Sequence, residues 1–66
     1  MEIQVNGVKR QWDSPVTVLA LLDALGINPG AVAVEKNLQI VARDEMTSEL
    51  VRDGDVIEII RMVGGG

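Results

Sequence analysis

The sequence predicts an α+β domain, a mixed sheet of four or five strands with one main helix packed on one face. Three observations predict it. Asn6-Gly7 separates two short alternating segments near the start. One apolar stripe of helical period follows between Val18 and Leu25. Two further short apolar runs, within 31–41 and 56–62, are bounded by turn formers.

The first element is a β-hairpin over residues 1–12. Met1, Ile3 and Val5 alternate with Glu2, Gln4 and Asn6, and the alternation resumes at Val8 and Trp12. Asn-Gly between such runs suits a type I′ turn, which needs positive φ at both central residues. The register pairs Val5 with Val8 and places Trp12, the one aromatic residue, on the same face at the core or its edge. Residues 13–17 break the pattern, and a helix of about nine residues follows. Val18, Leu19, Leu22 and Leu25 form its stripe. Thr17 is the expected N-cap, with Ser14-Pro15 as a competing start signal, and Gly26 the expected residue after the C-cap. So short a helix is marginal in water and must lie on a sheet.

Val32 and Val34 share one face of a strand within residues 31–36. Asn37 then turns the chain into a short strand over Leu38–Val41. Residues 42–53 are irregular, with Met46 and Leu50 as expected core anchors. Asp53-Gly54-Asp55 is a turn, and a last strand runs Val56 to Met62. Ile57 and Ile59 lie on one face of it, and Val56, Glu58, Ile60 and Met62 on the other.

Composition removes most function classes. The 66 residues are 47% apolar and 24% charged, a globular balance, and they suffice for one domain with a thin core. There is no cysteine and no histidine, so disulfides, thiol chemistry and imidazole catalysis are excluded, with the usual Ser-His-Asp and Cys-His arrangements. No metal-ligand spacing appears, and Asp53-Gly54-Asp55 does not match a calcium loop. Ten acids against six bases give a net charge of −4, which speaks against nucleic acid. Six acids (Asp44, Glu45, Glu49, Asp53, Asp55, Glu58) stand against the single base Arg52 between 44 and 58. They fit either a face for a basic protein partner or a solvated surface. The opening residues lack the apolar core of a signal peptide, and no run is long enough to span a bilayer. A soluble cytoplasmic protein without membrane partners is expected.

The hydroxyls and lysines lack an activating histidine, so Ser14, Thr17, Thr47 and Ser48 read as turn and cap residues. The remaining feature is Val63-Gly64-Gly65-Gly66 directly after an apolar strand. A frayed tail or appended cloning residues would explain it. So would a reactive end: glycine adopts any φ and can thread a narrow channel, and four extended residues reach roughly 13 Å. That would carry an α-carboxylate into another protein's active site, where it could attack the α-phosphate of ATP.

Several segments together resemble one family. Thr17-Val18 opens a Leu-rich helix, and Val32-Ala33-Val34-Glu35-Lys36-Asn37 and Ile40-Val41 before Arg43 follow. Asp53-Gly54-Asp55-Val56-Ile57-Glu58-Ile59 and Val63-Gly64-Gly65-Gly66 complete the order. Over its whole length the chain resembles the ubiquitin-like, β-grasp sulfur carriers of the ThiS family, which serve thiazole formation in thiamin biosynthesis. Ala42 and Met46 depart from the proline and aromatic residue common there. The resemblance implies a β-grasp domain over 1–63 and a flexible glycine tail over 64–66. It implies that the Gly66 carboxylate, carried by Gly64 and Gly65, is adenylated by a ThiF-like activating enzyme using ATP. Sulfur supplied through a desulfurase then forms a thiocarboxylate, which a ThiG-like thiazole synthase consumes. Such a chain is a protein co-substrate, not an enzyme, with no permanently bound cofactor. Ile60, Met62 and Val63, next to the tail, are the expected partner-binding residues. A carrier for molybdopterin or another sulfur product, a protein conjugator and a passive β-grasp binding module are the alternative readings.

Overall fold

The computed structural model describes residues 1–63. The three glycines of the expected tail, Gly64, Gly65 and the reactive Gly66, lie outside the described residues. Seven strands and one α-helix follow in the order β1 (Glu2–Val5), β2 (Val8–Gln11), β3 (Val16–Thr17), α1 (Val18–Ala24), β4 (Val32–Lys36), β5 (Gln39–Val41), β6 (Leu50–Val51) and β7 (Val56–Arg61). Short 3-10 turns cover Pro29–Ala31 and Arg43–Glu45.

Five strands form one mixed sheet in the order β2-β1-β7-β4-β5, and β3 and β6 form a separate two-stranded sheet. Strand β7 is central. It runs parallel to β1, with Val5 opposite Ile57, and antiparallel to β4, with Val32 opposite Arg61. The hairpin has the expected register, Val5 opposite Val8. Asn6 and Gly7 take φ of 49° and 81°, the left-handed values that a type I′ turn demands.

One face of the sheet is dry. Ile3, Val5, Val32, Val34, Val41 and Ile57 pack there with Val18, Leu21 and Leu22 of the helix, and Met46 and Val51 complete the core. Trp12 is half-buried against this core, held where its N–H donates to the Met1 carbonyl at 2.9 Å. Thr17 caps the helix, its hydroxyl accepting from the Ala20 N–H at 3.1 Å. Gly26 follows the C-cap Leu25 at φ 72°.

Several sequence expectations shift. The helix spans seven residues, and its buried stripe includes Leu21, whereas Leu19 is only half-buried. Val16 and Thr17 are not merely a break. They form β3 against β6, with Val16 opposite Val51. Val51 is fully buried there and Leu50 only half, so Val51 and not Leu50 is the anchor beside Met46. Leu38 is a turn residue at φ 71° and 87% exposed, so β5 begins one residue later. Val8, on the core face by register, is exposed at the end of the hairpin. The last strand stops at Arg61.

Candidate functional site

β7 is the last element of the described residues, and two asparagines hold that strand. Asn6, just past β1, donates its N–H to the Ile57 carbonyl at 2.9 Å. Its side-chain oxygen accepts the Ile59 N–H at 2.7 Å, and its amide donates to the Ile59 carbonyl at 3.3 Å. The side chain thus continues the β1 ladder one step beyond where the backbone turns away. Asn37 does the same at the other end. Its backbone N–H donates to the Val56 carbonyl at 2.8 Å, and its side-chain oxygen accepts the Val56 N–H at 2.9 Å. Both residues have positive φ, which asparagine tolerates better than most side chains. The sequence marks them as turn residues, but their second role depends on which strand lies alongside, and nothing local announces it.

Past Ile59, β7 is flanked by β4 alone, and the Met62 N–H still donates to the Ala31 carbonyl at 2.9 Å. The chain is therefore registered by recorded bonds through Met62, one residue before Val63 and two before the glycines. The structure brings the three expected partner residues together at this exit. Ile60 and Met62 are about half exposed, and Val63 is 95% exposed. Ile60 stands on the outer face, opposite Ala33 of β4. That face carries no buried residue. It also presents Ile40 of β5, 73% exposed and opposite Glu35. Sequence reasoning did not single out Ile40, although its parity opposite the buried Val41 is a usable signal.

The acidic stretch resolves into separate roles. Glu49 and Asp55 take up the Lys36 ammonium at 2.7 and 3.8 Å, and Lys36 also donates to the Leu50 carbonyl at 2.9 Å. Glu45 accepts the Ala42 N–H at 3.2 Å, and Asp53 accepts the Glu2 N–H at 2.7 Å. Partial burial works to raise the Asp55 pKa. Hydrogen bonds from the Arg52 N–H and the Asn37 side chain, with the nearby Lys36 charge, outweigh it and hold the carboxyl below its ordinary value. Four of the six acids thus tie the irregular segment and the turns together. Asp44 and Glu58 have no recorded partner among the described residues.

Comparison with known proteins places this geometry. The ThiS family model matches residues 3–66, nearly the whole chain. The chain belongs to the ThiS family. The sulfur carrier protein ThiS of Bacillus subtilis is 34% identical over 65 residues, covering 97% of this chain and 98% of that protein. A crystal structure of the thiamine biosynthesis protein ThiS from Geobacter metallireducens superposes with a TM-score of 0.89 at 33% identity, covering all of both chains. The five-stranded mixed sheet with one helix is therefore the family's β-grasp. A thiazole synthase of Paramagnetospirillum magneticum is 42% identical over 66 residues, and the chain spans only 20% of that protein's length. Family members thus share this domain, in some cases as one part of a longer polypeptide. Among the described residues no helix is long and apolar enough to cross a membrane.

Proposed function

We propose that this chain is a sulfur carrier whose reactive group is the α-carboxylate of Gly66. The observation that carries the reading is a family match that runs through the glycine tail to residue 66. A carboxylate oxygen of Gly66 attacks the α-phosphorus of ATP in a ThiF-like activating enzyme, and pyrophosphate leaves. The acyl carbon is then attacked by hydrosulfide, which a thiol reductant releases from the persulfide that a desulfurase forms with cysteine sulfur; the new C–S bond replaces the bond to AMP, and AMP leaves. The product is a Gly66 thiocarboxylate, which a ThiG-like thiazole synthase consumes. The likeness to a thiazole synthase supports thiazole over molybdopterin as the product. The chain has no cysteine, so it cannot hold the sulfur as a side-chain persulfide. It supplies no catalytic side chain and acts as a cytoplasmic protein co-substrate, ATP being bound by its partner.

Ile60, Met62 and Val63 dock the partner. Their exposed apolar surface lies where the chain leaves β7, so contact there aims the three glycines at the enzyme's active site. The test is ATP–pyrophosphate exchange by the activating enzyme encoded in the same genome. Exchange is expected with a chain ending at Gly66 and absent with one extended beyond it. Equal exchange with the extended chain would overturn the assignment of Gly66.

A further inference from the structure

Glu35 of β4 and Glu58 of β7 face each other directly across the sheet. Both lie on the outer face, and both are half-buried. Among the described residues neither carboxylate has a recorded hydrogen bond or salt bridge. The neighbouring cation, Lys36, is engaged by Glu49, Asp55 and the Leu50 carbonyl. Lys9 stands on β2, on the far side of β1. Directly opposed like charges destabilise a sheet, and among the described residues no recorded contact offsets this pair. The other acids of the same stretch show what internal use looks like: Glu45, Glu49, Asp53 and Asp55 all have partners.

Apolar side chains border the pair. Ile40 flanks Glu35 on β5, and Ile60 with Ala33 forms the next cross-strand pair toward the tail. A protein surface covering these apolar groups would also cover the two carboxylates. Doing so without a cation would cost far more than the contact returns. The face is continuous with the proposed docking residues through Ile60.

We propose that the Glu35–Glu58 pair receives an arginine side chain of the activating enzyme, seated between Ile40 and Ile60. The planar guanidinium presents donors in a fixed fork, which suits two carboxylates on adjacent strands better than an ammonium does. The pair then sets which activating enzyme is accepted, since a surface without that cation would bury two unpaired anions. This inference rests on the proposed function, because it assigns a contact within that encounter.

The test uses the full chain with Glu35→Gln, Glu58→Gln and the double substitution, against the activating enzyme encoded in the same genome. The unfolding midpoint of each variant is expected to be unchanged or raised. In ATP–pyrophosphate exchange the KM for the carrier is expected to rise about tenfold or more, with kcat at saturating carrier unchanged. The rise of KM with salt is expected to flatten in the double variant. Unchanged KM in the double variant would overturn the proposal. So would a lowered unfolding midpoint accompanying the weaker binding, which would make the pair structural, or a loss of affinity confined to the thiazole synthase. No exchange with the unsubstituted chain would overturn the carrier reading itself, and the docked arginine with it. Normal exchange by the unsubstituted chain and the double variant alike sinks only the arginine.

Discussion

Lys36 shows how much one side chain holds in a small domain. Its side chain is 19% exposed, and its ammonium joins β4 to Glu49, Asp55 and the Leu50 carbonyl, and so fastens the irregular segment to the sheet. Asp55 is also bound by the Arg52 N–H and the Asn37 amide. Its folded-state pKa is depressed, so its contribution to stability is fully present above the unfolded value and is lost as pH falls through the folded one. Urea unfolding measured against pH should show this. The native chain is expected to lose stability as pH falls below about 4. Asp55→Asn is expected to be less stable at neutral pH and to flatten that acid limb. An unchanged acid limb would mean that other carboxylates control it. The sequence shows these acids only as a cluster, and their partners lie up to 51 residues away, as with Asp53 and Glu2. Their roles were therefore not legible, whereas the turn chemistry of Asn6, Gly7 and Gly54 was, because φ demands are local.

At the scale of the element, the helix start is decided by Thr17 and not by Ser14. The Thr17 hydroxyl accepts the Ala20 N–H, while Ser14 is exposed with no recorded bond among the described residues. Thr17→Ala is expected to cost about 1 kcal/mol in urea unfolding, and Ser14→Ala to stay within about 0.5 kcal/mol. The reverse order would move the start of the helix. The hairpin, the helix, β4 and the last strand were legible because their periodicity and turn signals are local. The β3–β6 pair was not: each strand has two residues, too few for a period, and the pairing joins Val16 to Val51 across the chain. That missing partner also explains the Leu50 error, since pairing with Val16 places Val51 in the core. Leu21 is not distinguished in the sequence, because Leu19 and Leu22 fit one stripe equally well until the sheet fixes which side is dry.

On the scale of the whole molecule, the first and last long strands lie side by side, and β7 runs up the centre of the sheet. β1 and the Asn6 side chain hold β7 as far as Ile59, and β4 holds it beyond. Its final recorded backbone bond is Met62 to Ala31. Removing residues 64–66 is therefore expected to leave the thermal unfolding midpoint unchanged and to abolish activation. A lowered midpoint would place the glycines within the folded unit. Ile60 and Met62 were legible from parity alone, since they alternate with the core-facing Ile57 and Ile59. The meeting of Ile40 with the opposed Glu35 and Glu58 was not, because it arises only when β5, β4 and β7 are laid side by side.

The most direct measurement is the intact mass of the chain after incubation with ATP, a sulfur source and the activating enzyme, with the change mapped by peptide. The expected result is one oxygen replaced by sulfur in the peptide that ends at Gly66. An unmodified chain, with an enzyme shown to be active on another carrier, would contradict it.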